Sequence, residues 1–412
     1  MSAHGLVRGV IRRAGWTLVD QAVNTATNFA LVVFVARSSS AENFGAFAVV
    51  YALYAFTVAI TQALVGETFL VTTDRASPMW RRTAAAATGA AVIVGLIVAL
   101  PLVGFALVAE TRYDELLLLL ALALPALLVQ DTTRVVHIAS GHPSRAAVND
   151  LAWALLQASA FVALAVAERQ DIRLLFLAWA LPGVACAALG CVQLRARPST
   201  VAGLGWMKEH RELGGSYALE SLAYAGSNQL TTLAVASAGG LPAAGALRAG
   251  QSIYGPANVP LLMLRLVGIA EARAAMVRGR HELRAMVRYL GAAGTAIGAA
   301  VLVAVLLVPD SLGRWLFGET WMLASALLVP LGLQKIAIGY SAGSFAGLRV
   351  LQAARLTLML RTFGALTTFC GGVVGAIVAS AEGCAYGLLA GSLAGIIPMR
   401  VTLWRLMDAD SR

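Results

Sequence analysis

The sequence predicts an all-α integral membrane protein, and three observations support this fold class. Hydrophobic residues make up 59% of the chain and charged residues only 13%. The mean hydropathy is +0.77, which is typical of a chain that lies in lipid. A polar stripe in the first long apolar segment recurs two hundred residues later. We therefore expect about twelve transmembrane helices in two six-helix bundles, related by a pseudo-twofold axis along the membrane normal.

The first apolar segment, residues 16–37, is polar along one side only. At about 100° per residue, Asp20, Asn24 and Asn28 share one face of a helix. A carboxylate in a spanning helix costs about 2.5–3.5 kcal/mol on insertion scales, so this face is expected to line a polar path. The segment is a full span with no small-residue cleavage site after it, so we interpret it as a retained first helix and not a signal peptide.

The counterpart of this stripe lies in residues 215–236. Its members occupy the same phase at a constant offset, and they are Glu220, Tyr224 and Asn228. Two halves that start from the same side of a membrane predict a parallel repeat with a cleft between them. We accordingly predict an N-terminal bundle at residues 1–200, a cytoplasmic linker at 201–214 and a C-terminal bundle at 215–412.

Hydropathy places the twelve spans near residues 16–36, 45–66, 84–108, 116–138, 149–167, 174–194, 215–236, 243–270, 289–308, 320–339, 361–379 and 383–404. Most of the 31 Lys and Arg residues fall in loops on one side of these spans. The bias predicts a multi-pass protein of the cell (inner or plasma) membrane with both termini in the cytoplasm. It also accounts for the net charge of +10, so we expect contacts with membrane lipids and none with nucleic acid.

The sequence offers little for catalysis. Its four cysteines and five histidines show no disulfide or metal spacing, and neither of the two lysines belongs to a phosphate-binding glycine loop. We expect no metal, no cofactor and no enzymatic activity. The predicted outer loops are short, whereas membrane glycosyltransferases and polysaccharide polymerases generally need a large outer loop. That enzyme class is therefore the disfavoured alternative.

The predicted eighth span, residues 243–270, carries four polar residues on one side. They are Arg248, Gln251, Asn258 and Arg265. Pro256 and Pro260 lie between the two arginines and remove backbone donors, which predicts a bend or break at mid-depth. One interpretation is a pair of cationic stations for an anionic group. The other is that both arginines snorkel to the membrane interfaces and brace neighbouring helices.

Two further polar groups favour structural roles. Asp131 and Arg134 are one helical turn apart, so we expect a local ion pair. Asp150, Trp153 and Gln157 share one face of the predicted fifth span, where a structural role is favoured over contact with a substrate.

Several stretches resemble the bacterial polysaccharide flippases, of the O-antigen and exopolysaccharide type, within the multidrug, oligosaccharidyl-lipid and polysaccharide exporter superfamily. They are the opening run WTLVDQAVNTATNFALVVFVAR with SSSAENFGAFAVVYALY and GETFLV, then QDTTRVVHIASGHPSRAAVNDLAW, ALRAGQSIYGPANV and SLGRWLFGETWMLA. The resemblance implies two six-helix bundles around a cavity that opens alternately to each side. The implied activity is outward movement of a polyprenyl-diphosphate-linked sugar in polysaccharide biosynthesis.

Physical chemistry agrees with such a lipid-linked glycan, because a diphosphate with attached sugars cannot cross hydrocarbon without a polar path. Three alternatives stay open. A multidrug or small-molecule exporter coupled to H⁺ or Na⁺ would use Asp20 and Glu220 as cation sites. A major-facilitator transporter is weakly suggested by Asp74–Arg75 and Arg81–Arg82, and a scaffold without transport is the third.

Overall fold

The computed structural model describes residues 3–74, 78–351 and 354–409, with the side chains of 3–20, 220, 223–228, 266, 354–355 and 409 outside the description. In chain order the helices are α1 (Ala3–Ser38), α2 (Ala41–Thr61), a π-helical turn (Gln62–Glu67), α3 (Thr68–Thr72), α4 (Trp80–Val108), α5 (Asp114–Ala139), α6 (Pro143–Val166), α7 (Ile172–Leu194), α8 (Thr200–Glu209), α9 (Arg211–Ile253), a 3₁₀ turn (Gly255–Ala257), α10 (Asn258–Arg278), α11 (Arg280–Leu306), α12 (Asp310–Phe317), α13 (Thr320–Ser325), α14 (Leu328–Val350) and α15 (Ala354–Ala409). The prediction of an all-α protein is confirmed, since the described residues contain no strand.

Eight helices among the described residues are long and apolar enough to cross a membrane. Two of the longest helices each contain a break. In α9 the break is at Gly240, whose φ is 81°, and in α15 it is at Ala379 and Ser380. The exact arrangement of twelve spans in two related bundles stays a prediction.

The chain divides into two compact units. The N-terminal unit comprises Met1–Ser39 and Ala46–Gly226, and the C-terminal unit comprises Ser40–Gly45 and Ser227–Arg412. The predicted linker, residues 201–214, is helical except at His210 between α8 and α9, and it belongs to the N-terminal unit. The predicted domain boundaries and the internal repeat stay predictions.

Local sequence explains several helix starts in the N-terminal unit. Asp114 and Glu115 lie in the first turn of α5, where a negative charge is favourable beside the exposed N–H groups. Pro143 is the first residue of α6, a position where its missing N–H costs nothing. Asp171 caps α7, and its carboxylate accepts a hydrogen bond of 2.9 Å from the backbone N–H of Arg173.

Small residues bring helices of the N-terminal unit close together. A Cβ added at Gly95 of α4 would lie 2.6 Å from the Cα of Pro125 in α5. The helix α8 packs against α4 in the same manner, because a Cβ at Gly203 would lie 2.5 Å from the backbone nitrogen of Ala90. Trp206 of α8 is buried in the apolar cluster there. Close backbone approach is the usual means of helix association where lipid surrounds the helices.

The C-terminal unit uses glycine even more heavily. The two halves of α15 fold back on each other at the break, and their glycines face one another. A Cβ at Gly375 would lie 1.9 Å from the carbonyl oxygen of Gly383, and one at Gly387 would lie 1.9 Å from that of Gly371. No larger residue fits at these positions without moving the backbones apart.

The predicted break near Pro256 is present. The helix α9 ends at Ile253, the 3₁₀ turn follows, and α10 begins at Asn258. Tyr254, which is fully buried, stabilises this junction by donating a hydrogen bond of 2.6 Å from its hydroxyl to the carbonyl oxygen of Leu328 in α14.

Candidate functional site

A polar cavity of about 420 Å³ lies within the N-terminal unit. Residues of α1, α2, the π-helical turn, α5, α6 and α7 line it. We call it the N-cavity. Its polar lining is unusual for a helical membrane protein because it includes two carboxylates, a guanidinium and six side-chain amides.

Arg134 of α5 forms the charged centre of the N-cavity. Its Nε lies 3.2 Å from Oδ2 of Asp150 in α6, and its Nη1 lies 3.7 Å from Oδ1 of Asp131, one turn earlier in α5. The three side chains are only 16%, 7% and 9% exposed, respectively. The predicted local pair with Asp131 is therefore confirmed, and the shorter contact is the one to another helix. Because these charges are buried, each depends on its partners in this group.

Two glutamines extend the charged centre. Gln62 donates a hydrogen bond of 2.9 Å from Nε2 to Oδ1 of Asp131, and Gln130 donates one of 3.0 Å from Nε2 to Oδ1 of Asp150. Gln62 is the first residue of the π-helical turn. Such turns are rare and occur frequently at functional sites, because the extra residue changes where the following side chains point. Here the π-helical turn follows α2 and contacts α5 through Gln62.

The first helix supplies two of the predicted site residues. Asn28 donates hydrogen bonds of 2.9 Å from Nδ2 to the side-chain and backbone oxygens of Asn24. Tyr51 of α2 donates its hydroxyl to Oδ1 of Asn28. Both asparagines line the N-cavity, together with Gln21 and Thr27. The predicted polar stripe of α1 therefore borders a real cavity, and a substrate role for these asparagines stays a prediction.

Aromatic rings give the same cavity an apolar wall. Tyr51 and Tyr54 contact Trp179 of α7, with ring centroids 5.5 Å and 4.9 Å from that of the indole. Trp153 of α6 donates a hydrogen bond of 3.1 Å from its indole nitrogen to the carbonyl oxygen of Trp179. These four rings line the cavity beside Gln157. Rigid aromatic faces next to amide groups suit a ligand that has both apolar faces and hydroxyl or amine edges.

The charge balance of the N-cavity favours a cationic or proton-donating guest. Among the described residues that line the cavity, Asp131 and Asp150 contribute two negative charges and Arg134 contributes one positive charge. One proton, one monovalent cation or a set of hydroxyl donors would compensate the excess. Among the described residues, no group of three or more His, Cys, Asp and Glu side chains is placed to hold a metal ion.

A second polar group lies in the C-terminal unit and is positive. Lys335 of α14 donates a hydrogen bond of 3.0 Å from Nζ to Oδ1 of Asn258, the first residue of α10. Arg265, two turns further along α10, is the charged group that acts on this ammonium. The helix α14 contains no acidic residue. We call Asn258, Arg265 and Lys335 the C-cation group.

The remaining predicted site residues divide into two sets. Arg248 and Gln251 lie near the end of α9, before the 3₁₀ turn, and both are partly buried. The side chains of the others lie outside the described residues, and these are Asp20, Glu220, Tyr224 and Asn228.

Sequence reasoning favoured structural roles for Asp131, Arg134 and Asp150 without predicting that they lie together at a cavity, and it assigned Lys335 to no site. A usable signal existed for each. Gln130 and Asp131 interrupt a leucine-rich span in which a polar pair is costly, and Lys335 is one of only two lysines in the chain. Either observation would have justified a search for a partner on another helix.

Solved structures with the same arrangement of helices exist, although the sequences are distant. An inward-facing multidrug resistance MATE family transporter of the MOP superfamily matches with a TM-score of 0.75 and 14% identity over 94% of this chain and 95% of that one. The chain has the fold of the MATE family transporters. An outward-facing MATE family transporter matches with a TM-score of 0.60 and 15% identity over 97% and 96% of the two chains.

A third match is of interest for the charge of its binding pocket. It is a MOP superfamily transporter from Pyrococcus furiosus, with a TM-score of 0.59 and 15% identity over 98% of this chain and 96% of that one. Its description states that reverse polarity of its binding pocket suggests a different function for it. No family model and no curated protein matches this chain by sequence. The MATE fold is thus what these comparisons show.

Proposed function

We propose that the protein is a multi-pass membrane transporter that moves a polyprenyl-diphosphate-linked oligosaccharide from the cytoplasmic to the outer leaflet by alternating access. The MATE fold supports a transporter and not an enzyme, since both inward-facing and outward-facing transporters share it. The observation that carries the choice of substrate is the C-cation group.

The C-cation group supports an anionic substrate for an energetic reason. A cation in a spanning helix is expensive, so it is retained where it serves a function or has a compensating carboxylate. Lys335 is bound to a neutral amide oxygen and acted on by a second cation, Arg265. Two positive charges that act on each other, one of them bound to a neutral amide, suit a diphosphate, which brings the compensating charge with it. A cationic drug would instead be repelled.

The N-cavity supports a sugar as the other part of the substrate. Sugars present hydroxyl groups around the ring edge and weakly polar C–H groups on the faces. The amides of Asn24, Gln62 and Gln157 offer donors and acceptors to hydroxyl groups, and Trp153 and Trp179 offer aromatic faces. The excess negative charge of this cavity also suits a coupling H⁺ or Na⁺, with Asp20 and Glu220 as the other predicted carboxyl groups.

A multidrug exporter is the second candidate, and one observation favours it. The N-cavity combines a net negative charge with an aromatic wall, which is the combination that attracts a lipophilic cation. In that case the N-cavity would bind the substrate and the C-cation group would be structural.

Reconstituted transport distinguishes the two candidates. Purified full-length protein is placed in liposomes that carry a fluorescent oligosaccharide on a polyprenyl diphosphate, and transfer is followed with a membrane-impermeant quencher. Arg265→Gln and Lys335→Gln should each reduce the transfer rate about tenfold or more, because each removes a charge-assisted contact. Arg273→Gln is the matched control, since Arg273 is an exposed arginine of the same helix, α10. Wild-type protein that moves a lipophilic cation and leaves the lipid-linked sugar in place would refute the flippase proposal.

A further inference from the structure

Four arginines of the C-terminal unit are stacked on aromatic rings at one end of its helices. The guanidinium carbons of Arg288 and Arg400 lie 5.4 Å and 5.0 Å from the ring centroid of the same indole, Trp404. Arg400 also lies 4.9 Å from the ring centroid of Tyr340. We call Arg288, Arg400, Tyr340 and Trp404 the arginine–aromatic cluster.

A second pair of arginines flanks this cluster. Arg349 and Arg361 lie 5.2 Å and 5.5 Å from the ring centroid of Phe345. Phe345 and Trp404 pack against the same apolar core of α11, α14 and α15. Positive charge is therefore concentrated where three helices meet.

The arginines lie at the ends of long uncharged stretches of their helices. Residues 289–306, 362–381 and 383–399 carry no charge, and Arg288, Arg361 and Arg400 are the residues that border these three stretches. An uncharged stretch of this length fills the hydrocarbon region of a bilayer, so its border lies at the level of the lipid headgroups. Tyr340 and Trp404 are the residue types that favour the same level.

Three of the stacked arginines, Arg288, Arg349 and Arg400, have guanidinium N–H groups that remain available for hydrogen bonds. Among the described residues, no carboxylate forms an ion pair with Arg288, Arg349 or Arg400. Nη1 of Arg400 is buried and donates no hydrogen bond to a described residue. Asp408, one helical turn after Trp404, forms an ion pair with Arg284. Stacking fixes each guanidinium plane while leaving its N–H edge available, which is the geometry that binds phosphate through two parallel hydrogen bonds.

We propose that the arginine–aromatic cluster binds the phosphate of a lipid headgroup. The cluster lies at the end of the unit that the charge bias predicts to be cytoplasmic, where basic pockets between spanning helices bind anionic headgroups. Two sources provide such a group, an anionic bilayer phospholipid and a polyprenyl diphosphate. The site rests on the packing of the C-terminal unit alone, so it stands or falls separately from the proposed transport.

The test is equilibrium binding of short-chain phosphatidylglycerol, phosphatidylcholine and farnesyl diphosphate to purified full-length protein. At about 1 M salt the Debye length is about 3 Å, so general surface attraction is screened and direct contacts remain. Wild-type protein should prefer phosphatidylglycerol to phosphatidylcholine. Tighter binding of farnesyl diphosphate would identify the ligand as a lipid-linked diphosphate, and equal or tighter binding of phosphatidylglycerol would identify a bilayer phospholipid.

Variants separate a built site from general positive charge. Arg288→Gln with Arg400→Gln should weaken binding about tenfold or more. The control, Arg273→Gln with Arg405→Gln, removes two exposed arginines from the same end and should leave binding within about twofold of wild type. Arg288→Lys with Arg400→Lys keeps the charge, loses the planar fork and should bind with intermediate affinity.

Three results would overturn the proposal. They are wild-type protein that binds neither phosphatidylglycerol nor farnesyl diphosphate more tightly than phosphatidylcholine, equal losses in the glutamine pair and its control, and a lysine pair that binds as tightly as wild type. The wild-type comparison and the lysine pair decide the question even if the glutamine pair does not fold.

Discussion

The two units of this protein differ in what they add to the close packing of helix backbones. The N-terminal unit, which also uses glycine contacts, joins the π-helical turn, α5 and α6 through buried polar groups centred on Arg134. The C-terminal unit joins the two halves of α15 through glycine backbones. In lipid the hydrophobic effect does not drive helices together, so either polar contacts or close packing must do so.

The two units also differ in whether their buried or half-buried cations are paired with carboxylates. In the N-terminal unit Arg134 is engaged by two carboxylates of its own chain. In the C-terminal unit Lys335 has a neutral partner, and the arginine–aromatic cluster has rings as partners. Paired charges stabilise a structure, whereas cations with neutral partners are available to an anionic ligand. If these cations bind an anion as proposed, they can do so because glycine contacts, and not ion pairs, hold the two halves of α15 together.

The largest expected effect comes from the glycine contacts. Gly387→Leu should prevent stable folding of the C-terminal unit, because even a Cβ would lie 1.9 Å from the carbonyl oxygen of Gly371 and the two halves of α15 would have to separate. Overpacking typically costs about 1–3 kcal/mol, and a backbone clash at this distance should cost more. The measurement is thermal unfolding and size-exclusion behaviour in detergent.

Gly104→Leu is the control for this substitution, since no atom lies within 4 Å of a Cβ at Gly104. It should unfold within a few degrees of wild type. Equal behaviour of the two leucine variants would show that the α15 contact is not what holds the C-terminal unit.

The second effect tests whether the N-terminal unit depends on charge pairing. Arg134→Gln should destabilise the protein by about 3–5 kcal/mol, because it leaves Asp131 and Asp150 buried without their cation. Arg134→Gln combined with Asp150→Asn should recover part of this loss, since one uncompensated charge is then removed. Unfolding in denaturant, measured for both single variants and the double variant, gives the coupling energy directly.

Additive losses for Arg134→Gln and Asp150→Asn would contradict the pairing of these two residues.

The C-terminal unit offers a matched comparison at Lys335. Lys335→Gln removes a cation whose described partner is a neutral amide, so it should cost less stability than Arg134→Gln. A similar cost for both would remove the distinction between the two units.

How far the sequence predicts this molecule depends on whether a feature is local. Hydropathy and periodicity predict the helices, and two prolines predict the break before α10, because these signals act within one segment. The pair of Asp131 and Arg134 is also local, at a spacing of one turn. The contact of Arg134 with Asp150 is not, since it depends on how α5 and α6 pack.

The π-helical turn at Gln62 illustrates the same limit. A single inserted residue leaves no pattern in the sequence, yet the first residue of this turn, Gln62, donates the hydrogen bond to Asp131 of α5. The polar stripe of α1 predicted Asn24 and Asn28 as path residues, and they line the N-cavity. The charged residues of the N-cavity come from α5 and α6, which only the tertiary structure brings together.

The smallest expected effect is at Asp171, whose exposed pair with Arg173 can be compared with the buried pair of Arg134 and Asp150. Asp171 caps α7 and pairs with Arg173 outside the apolar span, where Nη2 lies 2.7 Å from Oδ2 and the side chains are 51% and 37% exposed for the arginine and the aspartate. The side-chain hydrogen bond from Arg173 holds the pKa of Asp171 below its usual range. A carboxyl group whose pKa is depressed by folding stabilises the protein fully above its unfolded pKa of about 3.9, and this contribution is lost as the pH falls through the lower folded value.

Asp171→Ala should therefore cost about 0.5–1 kcal/mol at pH 7, since solvent screens the pair and the cap contributes most of the effect, and the cost should shrink towards pH 3. Thermal unfolding of both proteins between pH 3 and pH 7 measures the difference. A cost as large as that of Arg134→Gln, or one that grows as the pH falls, would show that exposure does not separate these two aspartate–arginine pairs.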